Sequence, residues 1–150
     1  MKALCIYAGP KAKLHLSQHG LSAADIGVIP AAAGGPKGLI LGPLDRFIFN
    51  DWLPTSQQSV DLVGASIGAW RMATACMPDS QAGLLRLEKD YIHQHYELRP
   101  GEKFPSAQQV SDSFRENLDV FYGGSIESLL KHPRYRLHVL TSRGKGLLKR

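Results

Sequence analysis

The sequence lacks several features that mark common protein classes. It has only two cysteines, Cys5 and Cys76, which lie far apart and form no metal-binding spacing. This usage favours a reducing compartment, and we expect a cytoplasmic protein. No stretch approaches the roughly 18 consecutive apolar residues of a transmembrane helix, and the first residues lack the apolar segment of a secretory signal. These absences predict a globular protein without a membrane span.

Acidic residues are also in the minority. The chain has 18 lysines and arginines against 13 aspartates and glutamates, which gives a net charge of +5 concentrated near its two ends. Such a balance can attract nucleic acid or anionic lipid surfaces. The basic residues are not interleaved with aromatic residues, so we expect no nucleic-acid partner. A solvated basic surface is the favoured interpretation, and peripheral contact with an anionic membrane stays open.

The length and composition fit one domain. The 150 residues are 43% hydrophobic and 21% charged, which is enough apolar material for a buried core. Apolar runs with strand character alternate with segments of helical periodicity. This alternation predicts an α/β fold with a mostly parallel sheet flanked by helices. We expect residues 26–141 to form the core of a single domain spanning 1–150, with residues 1–24 as an N-terminal extension.

The predicted elements follow from apolar periodicity and from glycine, proline and capping residues. The segment 39–53 has a marked apolar face, which we expect to be buried against the sheet. Asp79 is the predicted N-cap of the helix that follows it. We predict strands at 3–8, 26–30, 60–65 and 135–141, and helices at 10–18, 39–53, 67–77, 80–96, 105–122 and 126–131.

The most informative motif is Gly64-Ala65-Ser66-Ile67-Gly68. It joins a predicted strand to a predicted helix, which is the context in which G-x-S-x-G forms a nucleophile elbow. The serine must adopt a strained backbone conformation that holds its hydroxyl clear of the sheet. The positions two before and two after it need almost no side chain, and Gly64 and Gly68 meet that need. Ser66 is therefore the candidate nucleophile, with an ordinary glycine-rich turn as the alternative.

A second glycine-rich turn, Gly34-Gly35-Pro36-Lys37-Gly38, also joins a predicted strand to a helix. Backbone N–H groups at such a helix start can bind negative charge. A phosphate loop of the Walker type is excluded because Lys37 is followed by glycine and not by serine or threonine. An oxyanion hole that stabilises the tetrahedral intermediate of acyl transfer is favoured, and a purely structural turn stays open.

Together these two turns resemble the patatin-like phospholipase family, which couples a G-G-x-[RK]-G oxyanion loop with a G-x-S-x-G elbow on the next strand. The resemblance implies a three-layer α/β/α fold and hydrolysis of acyl esters in lipids. It also implies a Ser–Asp dyad without histidine and no metal or other cofactor. Ser66 would be the nucleophile, with Gly34, Gly35, Lys37 and Gly38 forming the oxyanion loop. The family loop commonly begins with a further glycine, where this chain has Ala33.

The general base is missing from this pattern. The family's aspartate lies far downstream in a D-G-[GA] motif, and this chain contains no Asp-Gly dipeptide. We therefore expect the N-terminal part of a longer protein, or a truncated member of the family. Two alternatives stay open: a non-catalytic protein that binds lipid or acyl groups, and an esterase of the α/β-hydrolase type. The second alternative needs a late histidine, for which His132 and His138 are poor candidates.

One pair of histidines has metal-binding spacing. His15 and His19 lie four apart on the first predicted helix, but no carboxylate or cysteine near them in the sequence offers a third ligand. We therefore expect a surface pair and no metal site.

Overall fold

The computed structural model describes residues 5–98, 101 and 103–146. Three strands and six α-helices are found in this part of the chain, together with shorter 3-10 and π turns. The strands are β1 (Val28–Ala31), β2 (Val60–Ala65) and β3 (Tyr135–Leu140). The α-helices are α1 (Pro10–His19), α2 (Gly42–Arg46), α3 (Ile67–Ala75), α4 (Ser80–Ile92), α5 (Ala107–Tyr122) and α6 (Ile126–Leu130).

The three strands form one parallel sheet in the order β1-β2-β3. In the register, Ala31 pairs with Gly64, and Ala65 pairs with Leu140. The carboxyl ends of β1 and β2 therefore lie side by side, and the chain leaves the sheet there at both glycine-rich turns. The predicted α/β fold with a parallel sheet is confirmed.

The packed core lies on one face of the sheet. Val60 and Leu62 are fully buried on β2, and Gly64 on the same face lies directly against the backbone of α3. The neighbouring core side chains come from the segment before β2 and from α3, α4, α5, α6 and β3. This core contains Phe49, Leu53, Met72, Cys76, Leu87, Phe121, Tyr122, Leu129 and Tyr135. Burial raises the pKa of the Cys76 thiol to about 12, so this cysteine is inert at neutral pH.

The opposite face of the sheet carries a polar cluster. Asp61 on β2 accepts two hydrogen bonds from the Arg136 guanidinium, at 2.7 and 2.9 Å, and lies 2.9 Å from Nε2 of His138. Hydrogen bonds from these two β3 side chains lower the pKa of Asp61 to about 2. The Asp61 carboxylate stays ionised across the physiological range, and its contacts with Arg136 and His138 tie β3 to the central strand.

The segment between β1 and β2 differs from the single helix predicted at 39–53. It is helical throughout Gly35–Thr55, but a 3-10 turn (Gly35–Leu41) precedes α2, and a π turn (Phe47–Trp52) and a second 3-10 turn (Leu53–Thr55) follow it. Each change in the number of residues per turn shifts the direction in which the apolar side chains of this segment point. Phe49 and Leu53 are consequently buried, whereas Ile40, Leu44 and Phe47 are exposed. The expectation that the whole apolar face is buried against the sheet is wrong.

Other elements agree with the sequence patterns to different degrees. The predicted strand at 3–8 is wrong where it can be checked, since residues 5–8 form no strand, and residues 1–4 lie outside the described part of the chain. β1 begins two residues later than predicted, and its side chains Val28 and Pro30 are exposed. The helix predicted at 80–96 ends at Ile92, with Asp79 capping it by accepting from the Ala82 N–H at 2.9 Å.

In the structure, the pair His15 and His19 has a carboxylate neighbour, Asp25, that was not expected from the sequence. Nε2 of His15 lies 2.8 Å from Oδ1 of Asp25, in the 3-10 turn that follows α1. The rings of His15 and His19 are 5.1 Å apart. No group of three metal-binding side chains is found among the described residues.

None of the described helices combines the length and hydropathy that crossing a bilayer requires.

Candidate active site at the carboxyl edge of the sheet

Ser66 occupies a strained turn between β2 and α3. Its backbone has φ 52° and ψ −127°, and among the described residues it is the only non-glycine residue with positive φ. Its carbonyl accepts from the N–H groups of Ala69 at 2.8 Å and Trp70 at 3.2 Å, which starts the helix. The Ser66 side chain is exposed and does not cap the helix. The strain is therefore held by the fold, and the hydroxyl is left available for other contacts.

The two glycines of the elbow allow the close packing that the sequence predicts. A Cβ on Gly64 would lie 2.5 Å from the Ala69 Cα, and a Cβ on Gly68 would lie 2.1 Å from the Ala31 carbonyl oxygen. Both obstacles are backbone atoms, which cannot rotate away. Gly64 therefore lets α3 return against its own strand, and Gly68 lets the same helix pass over the end of β1.

Replacing Gly68 by alanine should lower the free energy of unfolding by about 3 kcal/mol, the upper end for overpacking, because the Ala31 backbone must move. Gly27→Ala is the matched control, since a Cβ at Gly27 meets nothing within 4 Å. Urea unfolding followed by circular dichroism measures both. Equal effects of the two substitutions would show that α3 does not pack on β1 in this way.

The second glycine turn lies beside the elbow. Gly35 has φ 53°, a conformation that favours glycine, and it begins the 3-10 turn with Pro36 in its first positions. Lys37 is exposed. A Cβ on Gly38 would come 2.8 Å from Cγ2 of Ile67, the residue directly after Ser66. Gly38 is thus the contact point between the two turns.

The structure brings the predicted site residues to one edge of the sheet. Gly34 and Gly35 follow β1, Ser66 follows the adjacent β2, and the Ala31 and Ala32 carbonyls both lie close to Gly68. Gly34 is exposed and Gly35 is half-buried. Backbone N–H groups and a serine hydroxyl at the carboxyl end of a parallel sheet can together hold a polarised carbonyl group.

A general base does not accompany Ser66 in the described part of the chain, where no side chain hydrogen-bonds its hydroxyl. His138 pairs with Asp61 on the face of the sheet. His132 precedes β3, at the opposite edge of the sheet, where it stacks on Tyr135 at 4.3 Å. Its Nδ1 accepts from the Arg134 and Tyr135 N–H groups, and partial burial lowers its pKa. Both histidines therefore have structural roles.

Sequence reasoning missed a buried ion pair that joins the helices following the two glycine-rich turns. Arg71 on α3 donates to both carboxylate oxygens of Asp45 on α2, at 2.6 and 2.7 Å. The two side chains are only 8% and 6% exposed. Arg46 extends the contact by pairing with Glu88 on α4 at 2.5 Å. The segment after the glycine-rich turn at 34–38 is thereby held against α3 and α4.

Comparison with known proteins finds no matching protein-family model, no matching curated protein and no matching solved structure. The assignment of a function therefore depends on the geometry and chemistry of this edge of the sheet.

Proposed function

We propose that the protein is a serine acyl-ester hydrolase of the patatin-like kind, acting on lipid esters through Ser66. The observation that carries the proposal is the backbone of Ser66, with φ 52° and ψ −127° in a strand–turn–helix flanked by two obligatory glycines. A strained serine that does not cap its helix has no evident structural purpose. A nucleophile elbow needs this conformation to expose the serine hydroxyl.

The chemistry uses the two turns together. The Ser66 Oγ attacks the ester carbonyl carbon, and its proton passes to water. The resulting oxyanion takes hydrogen bonds from the backbone N–H groups of the Gly34-Gly35 turn. The ester C–O bond then breaks, the alcohol leaves with a proton, and water hydrolyses the acyl-serine to release the acid and restore the hydroxyl.

The expected rate follows from the missing base. An unactivated serine is a weak nucleophile. Oxyanion stabilisation and substrate binding alone still give accelerations of about 10³- to 10⁴-fold over water in serine hydrolases that lack a triad member. Activated esters, whose leaving groups need little assistance, are therefore the suitable substrates for testing this chain.

The lipid character of the substrate is supported by the surface near the oxyanion loop. Ile40, Leu44 and Phe47 follow that loop directly and are 83%, 47% and 52% exposed. Exposed apolar side chains near a polar site suit an ester presented by a lipid phase. The neighbouring Lys37 adds a positive charge, which favours an anionic surface.

The test is labelling with a fluorophosphonate, which loses fluoride to a reactive serine hydroxyl. We expect Ser66 to react on the order of 100-fold faster than the other serines, since one oxyanion donor is worth about that much. Peptide mass spectrometry locates the label, and the urea-unfolded chain is the control that should lose the selectivity. Uniform labelling of all serines in the folded protein would contradict the proposal.

Failure to label favours the second candidate function, a protein that binds acyl groups without hydrolysing them. The specific observation behind this candidate is that no carboxylate or imidazole bonds to Ser66 among the described residues. A binding protein of this kind would bind acyl chains but form no covalent adduct at Ser66.

A further inference from the structure

A cavity of about 350 Å³ lies between α3, α4 and α5. Its size is within the range of small-molecule sites in proteins. The apolar part of its wall consists of Trp70, Leu87, Tyr91, Phe114, Val120 and Phe121. The rings of Phe114 and Phe121 lie edge-on to Trp70 at 6.1 and 6.3 Å, so one wall is a continuous aromatic surface.

Two wall residues are neighbours of the two glycine-rich turns. Trp70 lies one helical turn after Ser66, and its backbone N–H donates to the Ser66 carbonyl. The Tyr91 hydroxyl lies 3.8 Å from the position that a Cβ on Gly35 would occupy. The cavity therefore lies next to both glycine-rich turns, with Tyr91 between it and Gly35 and Trp70 one helical turn from Ser66.

The charged groups of the wall are already paired. The Arg86 guanidinium lies 4.6 Å from the centre of the Phe121 ring, bonds to Asp90 at 3.2 Å and donates to the Val120 carbonyl at 3.3 Å. His93 is bonded to the Lys89 carbonyl at 2.7 Å. A phosphate or carboxylate entering the cavity would therefore meet a cation that is already neutralised.

The polar surroundings also disfavour an anion. A second, polar cavity shares His95 and Ser113 with the first, and three carboxylates line it, from Glu97, Asp112 and Glu116. Their negative charge repels anionic groups at this end. The chemistry that fits the aromatic cavity is a hydrocarbon chain, which gains from burial and needs no hydrogen-bond partner.

We propose that this cavity receives the acyl chain of an ester whose carbonyl carbon lies at Ser66. The assignment rests on the proposed function and adds to it a preference for medium-length acyl chains over acetyl groups. Each methylene group buried should raise kcat/KM by about fourfold until the cavity is full.

The first experiment fills the cavity. Ser113 is half-buried on α5 and lines the cavity, whereas Ser111 on the same helix is exposed and does not. Ser113→Phe should lower kcat/KM for p-nitrophenyl octanoate at least tenfold and leave p-nitrophenyl acetate unchanged. Ser111→Phe is the matched control and should change neither. Equal effects of Ser113→Phe on both esters, or no effect on either, would overturn the assignment.

The second experiment measures binding without turnover. In a Ser66→Ala background, ω-bromooctanoate should quench the fluorescence of Trp70, because bromine at contact distance quenches indole, and Ser113→Phe should remove this quenching. If the wild-type protein hydrolyses no ester but the quenching persists, the proposed function is wrong and the chain-binding cavity stands. If quenching is absent or insensitive to Ser113→Phe in a protein that hydrolyses acetate, the cavity assignment is wrong and the hydrolase stands.

Discussion

Replacing Ser66 by glycine should abolish ester hydrolysis and at the same time raise the free energy of unfolding. In the proposed mechanism, loss of the Ser66 hydroxyl removes the covalent step, so hydrolysis through an acyl-serine should stop. The stability gain arises because φ 52° costs a non-glycine residue about 1–2 kcal/mol, whereas glycine adopts it freely. The greater freedom of glycine in the unfolded chain offsets part of this, leaving a net gain of about 1 kcal/mol.

Ser66→Ala separates the two effects. Alanine removes the hydroxyl but keeps the strained conformation, so activity should fall as far as in the glycine variant while stability stays within about 0.5 kcal/mol of wild type. Hydrolysis of p-nitrophenyl butyrate and urea unfolding of the three proteins measure both quantities. A glycine variant that is less stable than the alanine variant would show that the turn is not strained in solution.

Replacing Asp45 by asparagine should destabilise the protein by about 3–5 kcal/mol, because Arg71 is then left buried without a counter-charge. Asparagine has nearly the same shape as aspartate, so the loss of stability measures the effect of removing the negative charge. Domains are stable by only about 5–15 kcal/mol in total, and the variant should therefore unfold far more readily than the wild type. Because Ser66 directly precedes α3, fluorophosphonate labelling should become less selective as well.

Two further variants test this assignment. Asp112→Asn is the matched control, since Asp112 pairs with Arg115 in an exposed contact at 3.3 Å, and it should cost less than about 1 kcal/mol. The double variant Asp45→Leu/Arg71→Met replaces both charges with apolar groups and should recover most of the stability. Similar losses for Asp45→Asn and Asp112→Asn, measured by urea unfolding, would contradict a buried pair.

The parts of the fold that depend on local pattern could be predicted from the sequence. β2 has the predicted bounds Val60–Ala65, and α3 begins at the predicted Ile67, because an apolar run meets a glycine–serine turn there. Asp79 caps α4 as expected. The juxtaposition of the Gly34-Gly35 turn with Ser66 also followed from topology, since adjacent parallel strands end at one edge.

The remaining features depend on contacts between distant residues. Asp45 and Arg71 are 26 positions apart, and neither stands in a motif that would identify a partner. The segment Gly35–Thr55 changes its winding and contacts both α3 and α4, and apolar periodicity encodes neither feature. Tyr91 could not be placed beside Gly35 from the sequence because that contact depends on the packing of α4.

The close approach of Gly64 and Gly68 to backbone atoms has a consequence in genetic terms. Any missense change in either codon introduces a Cβ, and that atom alone collides with Ala69 or Ala31, whatever the rest of the side chain is. Alleles at these two codons should therefore be uniformly deleterious through loss of folded protein. The alanine and glycine alleles of Ser66 should instead leave the protein abundant and remove the proposed hydrolysis.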